Sequence, residues 1–500
     1  MFLPSFLAAS GTSSAWPFVT LGICVVFIIV AITRLRLPAF LALVLAAFLA
    51  GVLTPVFPPA AIDRLPASMR TDARDNPWVA AVELTSLEFG AAAGSIAISI
   101  GLAAIIGLCL MESGAADKVV RRFLAVAGEK RAGIALLGST YLLSIPIFFD
   151  TMVMLMVPLA RALRLRTGRS YLLYLMAICC AGVITHSLTV PHPGPLAMVD
   201  NLRVDSGLSL LWGLIAGIIP CLAGYAFVRW LDRRMDVPLR SVESASTRDL
   251  EAIPSRSESE LPSFLASAAP ILLPIILIGL GSLAKAAAGW PTVVATLGGT
   301  ETYASVSRVL VALGNKNVAL LIGAAIALWV LVRQRRIPWR DLGGMLESPL
   351  ATAAVIILIT AAGGAFGGML RHAGVGDAIK GIAVQYSLDV VLLGWATAFV
   401  IRIAQGSATV AMLTASSILW PLMDPATGAA LPYHPMYVFL SIGFGAFACS
   451  WMNDSGFWVV SKLGGLTEQE TLRSFTVVLT VMSVAGLIVV WIASRLMPLL

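Results

Sequence analysis

The sequence predicts an all-α polytopic membrane protein, and three observations support this fold class. Of its 500 residues, 58% are hydrophobic and only 12% are charged, whereas a soluble domain has roughly 25% charged residues. Several charge-free stretches reach the length of about 20 residues that an α-helix needs to cross a bilayer. The sequence has no series of alternating polar and apolar ten-residue segments, so it does not fit a membrane β-barrel.

Apolar stretches predict ten full crossings of the membrane. They lie at about residues 17–33, 38–56, 88–111, 171–199, 209–229, 264–284, 317–332, 350–370, 435–461 and 474–494. The net charge of +7 is assigned to topology, because lysine and arginine collect in cytoplasmic loops. With the N-terminus outside, about two thirds of the 34 basic residues face the cytoplasm. The expected surroundings are therefore the lipid bilayer, and no nucleic-acid partner is expected.

Two further apolar segments, residues 133–160 and 390–423, predict re-entrant hairpins. Each is longer than one crossing needs and shorter than two crossings with a turn. Basic residues lie on both sides of the first segment, including Arg131 before it and Arg161 after it. Because cytoplasmic loops carry such residues, this segment enters and leaves by the same face. Turns of this kind at membrane depth occur only where they are buried in protein or line a watery cavity.

A polar segment divides the chain into two halves. Residues 231–263 are rich in serine and in charges of both signs, which is typical of a flexible cytoplasmic linker. A regulatory role of this segment is the alternative. The predicted regions are an N-terminal transmembrane pair with an outer loop at 1–87, a first repeat at 88–230, the linker at 231–263, connecting transmembrane spans at 264–349 and a second repeat at 350–500.

The two halves resemble each other at a spacing of about 260 residues, which predicts an internal repeat. The matched pairs are Gly107 and Gly367, Leu110 and Leu370, Gly114 and Gly374, and Asp117 and Asp377. In each half a crossing, a hairpin, an interrupted crossing and a further crossing follow in that order. In the predicted topology residues 88–111 run inward and residues 350–370 run outward, so the repeats are inverted. Secondary transporters of this design bind substrate near the membrane midplane.

Three charged side chains lie within the predicted membrane segments, away from their end residues: Asp150, Arg402 and Asp454. A charge at the bilayer centre costs about 2.5–3.5 kcal/mol on insertion scales, so each needs a partner or a function. Asp150, in the first hairpin after Pro146, is either a proton-exchanging carboxylate or cation ligand, or a cap for free backbone N–H groups. Asp454 is a second candidate for proton coupling.

The tip of the second hairpin predicts an anion-binding site. Arg402 offers a planar fork for a substrate carboxylate, or it extends to the outer surface. Gly406 permits a sharp turn, Ser407 and Thr409 offer hydroxyl groups, and Gln405 lies beside them. A helix that starts there directs free N–H groups and about half a positive charge toward a ligand.

Two crossings contain residues that interrupt a helix. In 171–199, three prolines between positions 191 and 195 each remove a donor and clash with the preceding turn. We expect His192 and Gly194 to face the substrate at this break. His186 lies one helical turn before it and is either a proton-exchanging group or a hydrogen-bonded core histidine.

The second interrupted crossing, 435–461, contains Asn453, Asp454, Ser455 and Gly456 in sequence. These are turn-forming residues within an apolar segment, where packing alone does not require them. The sequence therefore predicts that Asn453, Asp454 and Ser455 take part in substrate binding, opposite the break of the first repeat.

At these residues the chain resembles the gluconate:proton symporter (GntP) family of the ion transporter superfamily. The shared motifs are FFD from Phe148, TGRSYLLY from Thr167, PHPGP from Pro191, ITAAGGAFG from Ile359, RIAQGSATVAM from Arg402 and NDSGFW from Asn453. The resemblance covers roughly residues 90–495. It implies inverted repeats, a homodimer with elevator motion, and residence in the bacterial inner membrane.

The resemblance also implies proton-coupled uptake of gluconate or a related small hydroxy-acid anion. Carriers of D-serine and hydroxybutyrate are similar, so the family alone does not fix the cargo. Trp451 stands where gluconate permeases commonly have a histidine, two residues before the Asn-Asp pair. This departure replaces a titratable group with a bulky indole.

Two other functions compete with symport. A cation/proton antiporter would use Asp150 and Asp454 without an organic ligand, and sodium is the alternative to the proton as coupling ion. A membrane-embedded enzyme with a His/Asp site is the third possibility, but the sequence contains no nucleophile elbow and no phosphate-binding glycine loop. No residue set has metal-ligand spacing. We therefore expect a transporter without metal or cofactor.

Overall fold

The computed structural model describes residues 15–128, 131–168, 170–240, 257–288, 294, 296, 299–375, 378, 389–423, 431–452 and 454–498. All regular structure in these ranges is helical. The first part contains α1 (Trp16–Thr33), α2 (Ala39–Val52), α3 (Pro59–Ile62), α4 (Ala67–Asp75), α5 (Pro77–Glu112), α6 (Ala115–Ala127), α7 (Ala132–Leu143), α8 (Phe149–Thr167), α9 (Tyr171–Leu188), α10 (Pro193–Asn201) and α11 (Ser206–Asp232).

The second part begins after the linker. It contains α12 (Phe264–Ala287), α13 (Gly299–Leu313), α14 (Lys316–Arg335), α15 (Leu342–His372), α16 (Val390–Gln405), α17 (Ala408–Met423), α18 (Met436–Ala446), α19 (Ser455–Gly464), α20 (Glu468–Thr471) and α21 (Val477–Leu496), with a π-helical turn at Leu472–Thr476. Short 3₁₀ turns lie at Glu258–Glu260 and Trp339–Asp341.

Seven helical stretches within the described ranges are long and apolar enough to cross a membrane. They are Pro77–Glu112, Tyr171–Asn201, Ser206–Asp232, Phe264–Ala287, Lys316–Arg335, Trp339–His372 and Glu468–Leu496. The predicted fold class, an all-α polytopic membrane protein, is confirmed.

Some predicted crossings have different bounds in the structure. Helix α2 has 14 residues, or about 21 Å, which is less than the roughly 30 Å of a bilayer's hydrocarbon core. It stops before Pro55, because proline disfavours helical backbone at the preceding residue. Helix α5 begins at Pro77 rather than 88, where Asn76 caps it by accepting a hydrogen bond from the N–H of Trp78.

The two predicted hairpins are helix–turn–helix pairs. In the first, α7 and α8 are separated by residues 144–148, and in the second, α16 and α17 are separated by Gly406 and Ser407. Helix α7 has 12 residues, or about 18 Å, so it ends well short of the roughly 30 Å needed for a crossing. This length supports re-entry for the first hairpin.

Both interrupted crossings contain the predicted breaks. Helix α9 ends at Leu188 and α10 starts at Pro193, where proline is tolerated because the first turn needs no donor. In the second half, α18 ends at Ala446 and α19 starts at Ser455. Each break lies beside a hairpin: His192 contacts Ser144 of the first, and Asp454 binds Arg402 of the second.

Helices α5 and α15, the counterparts in the two halves, pack along each other at close range. A Cβ added to Gly364 would lie 2.5 Å from Ala92, and one added to Gly368 would lie 2.6 Å from Glu88. Small residues permit such close helix contacts in membranes. Numbering rises along one helix as it falls along the other, so the two are antiparallel, as the predicted inverted repeat requires.

Ion pairs between distant segments agree with the predicted topology, because each joins residues on the same predicted side. On the cytoplasmic side Glu112 pairs with Arg335 at 2.9 Å, and Arg240 pairs with Glu470 at 2.6 Å. On the outer side Asp205 pairs with Lys285 at 3.0 Å, and Asp200 pairs with Lys316 at 3.6 Å. Arg240 and Glu258 attach the two described ends of the linker; residues 241–256 lie outside the described ranges.

Candidate functional site

A cavity of about 380 Å³ lies where the two hairpin turns meet the two helix breaks. Its lining includes Phe148, Phe149, Asp150, Val183, His186, Ser187, Pro193, Ile356, Arg402, Gln405, Gly406, Ser407, Ala408, Thr409, Phe447, Asp454, Ser455, Gly456, Phe475 and Leu479. Residues from both halves of the chain therefore share one cavity, as the internal repeat predicts.

Most of the predicted site residues line this cavity. They are Asp150, His186, Arg402, Gln405, Gly406, Ser407, Thr409, Asp454 and Ser455. His192 and Gly194 were also expected there, but neither is part of the lining. Asn453, the remaining predicted residue, lies outside the described residues.

Arg402 is held inside the protein by two partners. One terminal nitrogen, Nη2, donates to a carboxylate oxygen of Asp454, and Nη1 donates to the backbone carbonyl of Gly406. The arginine side chain is 3% exposed and that of Asp454 is 13% exposed. Arg402 therefore does not extend to the outer surface, and the paired charges lower the cost of burying both groups.

Asp454 is positioned by the start of α19. Its Oδ1 atom accepts a hydrogen bond from the N–H of Gly456 at 3.1 Å, as an N-cap, and Ser450 donates its hydroxyl to Oδ2. The carboxylate thus closes the helix end and holds Arg402 at the same time. Ser450 was not predicted; its position four residues before Asp454, across the turn, is the only signal the sequence offers.

The second hairpin turn has the backbone that the sequence predicts. Gly406 adopts a left-handed conformation (φ 78°) that side chains disfavour, and its N–H donates to the carbonyl of Arg402 at 2.8 Å. The Ser407 hydroxyl accepts from the N–H of Val410 at 3.3 Å, so it caps α17. Thr409 lines the cavity in the first turn of the same helix.

Asp150 differs from Asp454 in having no partner. It is the second residue of α8, and its side chain is exposed to the cavity. Phe148 precedes the helix, and no side-chain cap closes its N-terminus. The sequence left two roles open for Asp150, and one of them was to cap free backbone N–H groups. Because the described residues give Asp150 no hydrogen bond, it does not have that capping role. The positive end of α8 favours an acidic group at this position.

His186, which lines the cavity, and His192, which does not, have their rings in contact at a tilt of 58°. Their ring centroids are 4.7 Å apart. His192 is 1% exposed, and its Nε2 atom lies 2.7 Å from the carbonyl oxygen of Ser144. A carbonyl only accepts, so Nε2 carries a proton. The turn between α9 and α10 directs His192 toward the first hairpin, which removes it from the cavity.

Gly194 serves packing rather than ligand contact. A Cβ at this position would lie 2.2 Å from the Met412 side chain. Glycine therefore allows α10 to approach α17, the second helix of the second hairpin. The glycine in the PHPGP motif marks a close helix contact, which the sequence alone does not distinguish from a ligand contact.

Several buried polar atoms around the cavity have no hydrogen-bond partner among the described residues. Arg402 has a free donor at Nε, Gln405 a free acceptor at Oε1, and Ser187 a free hydroxyl that both donates and accepts. Buried polar groups are nearly always paired in native proteins, so unpaired ones at a cavity indicate a ligand or water. Ser187 was not predicted; its place beside His186 is a weak signal.

Aromatic side chains form part of the cavity wall. Phe149 and Phe475 stack with ring centroids 6.2 Å apart, and Phe447 also lines the cavity. Phe149 lies within the FFD motif, whereas Phe475 belongs to a π-helical turn that no sequence pattern predicts. A small-molecule site with apolar walls and a few polar groups matches this composition.

Trp451, the departure from the family pattern, has a structural contact. Its Nε1 atom donates to the carbonyl of Ile403 at 3.1 Å, and the side chain is 40% exposed. It is not among the residues that line the cavity. The indole therefore links the second helix break to α16 and is not part of the cavity wall.

A sequence model described as GntP family permease matches residues 79–496. The chain belongs to the GntP permease family. A gluconate permease of Pseudomonas aeruginosa is 30% identical over 474 residues, which cover 94% of this chain and 96% of that protein. The D-serine transporter DsdX of Escherichia coli is 28% identical over 480 residues, covering 95% and 97%.

A solved structure has the same overall fold as this GntP family member. MtrF of Neisseria gonorrhoeae, from a class of antimetabolite efflux pumps, superimposes with a TM-score of 0.59 at 14% identity, covering 93% of this chain and 96% of that one. Family membership and the seven apolar helices identify the chain as a multi-pass permease of the bacterial inner membrane.

Proposed function

We propose that this permease imports gluconate or a related small hydroxy-acid anion together with a proton. The observation that carries the proposal is a cavity between the hairpins that combines one unpaired carboxylate, Asp150, with a neutralised pair, Arg402 and Asp454. The relatives named as gluconate permease and D-serine transporter support a small polar organic cargo.

The unpaired polar atoms favour a hydroxy acid. A carboxylate offers acceptors to the free Nε donor of Arg402, and a hydroxyl offers a donor to the free Oε1 acceptor of Gln405. Thr409 and Ser455 add hydroxyls to the lining. A ligand with both a carboxylate and hydroxyl groups satisfies both kinds of atom, whereas a bare inorganic cation would coordinate Gln405 Oε1 and leave the Arg402 Nε donor unpaired.

Charge favours coupling to a proton. With the carboxylates ionised, Asp150, Asp454 and Arg402 give the described lining one net negative charge. An incoming anion adds a second, and like charges at close range in a low-dielectric site repel strongly. A proton on Asp150 removes this repulsion, so that anion and proton bind best together.

The antiporter alternative has less support. It requires both carboxylates for a cation, but the guanidinium of Arg402 already occupies Asp454. An enzyme is also disfavoured, because the family consists of permeases. The predicted homodimer, elevator motion and regional boundaries remain part of the proposal.

Uptake into proteoliposomes tests the proposed function. We expect one or more C3–C6 hydroxy acids, gluconate among them, to accumulate when the lumen is alkaline and to stop accumulating when a protonophore is added. Accumulation that follows a sodium gradient at equal pH would replace the proton with sodium. Sodium/proton exchange without uptake of any organic acid would overturn the proposal in favour of the antiporter.

A further inference from the structure

A second cavity, of about 680 Å³, lies at the ends of four helices, among them the end of α8 at Thr167, and shares no lining residue with the transport cavity. The start of α7 contributes Arg131, the start of α9 contributes Ser170 and Tyr174, and the end of α11 contributes Tyr225, Arg229 and Arg233. In the predicted topology all these helix ends are cytoplasmic. The proposed transport function does not use this cavity.

The lining of this cavity is basic. Arg131, Arg229 and Arg233 have no carboxylate partner among the described residues. The single acidic residue in the described lining, Asp232, accepts the backbone N–H of Leu173 at 3.1 Å and so helps to cap α9. Three arginines and one carboxylate leave two net positive charges, which repel one another until an anion binds.

The start of α7 adds to this preference for an anion. This helix begins at the cavity with no side-chain cap, whereas the N-terminus of α9 already binds Asp232. The free N–H groups of α7 favour negative charge, and the C-termini of α8 and α11 at the same cavity have the opposite dipole, so the arginines supply most of the preference. Gly133 shapes the wall, because a Cβ there would lie 2.7 Å from the Tyr225 hydroxyl.

An exposed apolar strip on α11 leads to the cavity. Ile215, Ile218 and Leu222 are 54%, 48% and 52% exposed, and their spacing of three or four residues places them on one helix face. The same face continues to Trp230, which is 45% exposed and lines an adjoining cavity of about 380 Å³ with Arg229. Tryptophan at such a position is typical of the membrane–water interface.

We propose that this basic pocket binds the phosphate headgroup of an anionic phospholipid from the cytoplasmic leaflet. The acyl chains lie along the exposed face of α11, in contact with Ile218 and Leu222. A basic pocket between transmembrane helices at this membrane surface is suited to such headgroups. The two net positive charges best match a lipid that carries two phosphates, such as a diphosphatidylglycerol.

Native mass spectrometry of the purified full-length chain tests this site. The protein is titrated with diphosphatidylglycerol, phosphatidylglycerol, zwitterionic phosphatidylcholine and, in a separate arm, inorganic phosphate. We expect affinity to fall in that order, with retained binding for the two anionic lipids only. Each arginine near the membrane surface contributes about fivefold to the binding of an anionic lipid, so Arg229→Gln with Arg233→Gln should weaken diphosphatidylglycerol binding about 25-fold.

Two further variants separate this site from general charge attraction. Arg333→Gln with Arg340→Gln removes the same charge from the cytoplasmic end of α14, where Arg333 also lies over a tryptophan, Trp329, and from the 3₁₀ turn that follows, where Arg340 pairs with Asp341. Neither arginine lines the basic pocket. This control should stay within about twofold of the wild type. Arg229→Lys with Arg233→Lys keeps the charge and should keep most of the affinity.

Four results would overturn the proposal. They are equal binding of phosphatidylcholine and anionic lipids, equal loss in both Gln double variants, and inorganic phosphate binding as tightly as lipid, which would make this a phosphate site. The fourth is a disulfide-linked dimer formed efficiently by Trp230→Cys, because a second copy of the chain would then cover the same surface.

Discussion

The two hairpins meet at one cavity but present opposite chemistry to it. The first places the acidic side chain of Asp150 in the first turn of α8, exposed to the cavity and without a hydrogen bond among the described residues. The second places a cation, Arg402, in the last turn of α16, 3% exposed and bound to both Asp454 and the carbonyl of Gly406. Asp150 is therefore free to change its protonation state, whereas Arg402 is held in place by its partners.

This difference suggests a division of roles between the repeats. An unpaired carboxylate facing a cavity is free to gain or lose a proton without breaking an interaction. A buried ion pair is costly to disturb, and it positions the hydroxyls of the second hairpin turn around a ligand. We therefore assign proton coupling to the first hairpin and ligand recognition to the second, as part of the proposed function.

The largest expected effect is the loss of coupling in Asp150→Asn. An amide has nearly the same shape but does not exchange a proton, so accumulation driven by a pH gradient should fall to the level of unenergised vesicles. Exchange of internal for external substrate should continue. Uptake and exchange in proteoliposomes measure the two activities separately.

Glu112→Gln is the control, because Glu112 is a carboxylate at the end of α5 in the first repeat, where it pairs with Arg335 outside the cavity. It should accumulate substrate as the wild type does. If Asp150→Asn accumulates substrate normally, the coupling carboxylate is elsewhere, and Asp454 becomes the next candidate.

A thermodynamic cycle on Arg402 and Asp454 should give the next largest effect. Removing one partner of a buried ion pair leaves an uncompensated charge and costs about 3–5 kcal/mol. Arg402→Met and Asp454→Asn should each destabilise the protein by about that amount, and the double variant should recover a large part of the loss. Thermal unfolding in detergent measures all four proteins.

The same cycle tests the contrast between the hairpins. Asp150→Asn should leave the unfolding temperature unchanged or raise it, because the wild-type carboxylate has no partner to lose. Two results would contradict the distinction between a fixed and a free charge. One is a double variant whose loss of stability equals the sum of the losses in Arg402→Met and Asp454→Asn. The other is a large loss of stability in Asp150→Asn.

Much of the fold could be predicted because the membrane imposes strong local rules. Apolar length, flanking charge and the prolines near 191–195 gave the hairpins and the helix breaks. The predicted ends of α2 and α5 were less accurate, because hydropathy does not show at which residue a helix gives way to a loop. Pro55 and the Asn76 cap set those ends through backbone geometry.

The candidate site was predicted through residue types that are out of place in a membrane, such as Asp150, Arg402 and Gly406. What could not be predicted were relations between segments. The Arg402–Asp454 pair joins residues that are 52 positions apart in the chain. His192 and Gly194 have the same side chains whether they face a ligand or a neighbouring helix, so only packing distinguishes the two cases.

A smaller effect is expected at the hydroxyls of the second hairpin turn. Thr409→Val keeps the shape and removes the hydroxyl, which should weaken hydroxy-acid binding by about 1.5–3 kcal/mol, or roughly ten- to hundredfold. Ser407→Ala should weaken binding by a similar factor and also lose about 1 kcal/mol of stability, because Ser407 caps α17.

Thr414→Val on the same helix is the control, since Thr414 is buried away from the cavity and its hydroxyl has no partner among the described residues. It should bind substrate as the wild type does. Unchanged dissociation constants for both Ser407→Ala and Thr409→Val would exclude these hydroxyls as ligands, and attention would move to Ser455.

The start of each hairpin provides a final contrast. Helix α7 of the first hairpin has no side-chain cap, whereas α16 of the second begins at Asp389, which accepts from the N–H of Val391 at 2.9 Å and from Trp491 at 2.8 Å, and pairs with Arg495. Burial alone raises the pKa of Asp389, but these hydrogen bonds and the nearby arginine outweigh it, so its pKa lies below the ordinary value.

The smallest predicted effect is a pH-dependent loss of stability in Asp389→Asn. Asparagine still caps a helix, so the loss of stability in this variant measures the contribution of the negative charge. We expect this loss to be about 1 kcal/mol at pH 7. A lowered pKa means that the stabilisation is complete above the unfolded value of about 3.9 and disappears as the pH falls through the folded value. The difference in unfolding temperature between wild type and variant should therefore be constant from pH 8 to about pH 5 and shrink below about pH 4. A difference that grows toward low pH would show that Asp389 does not anchor the second hairpin through its charge.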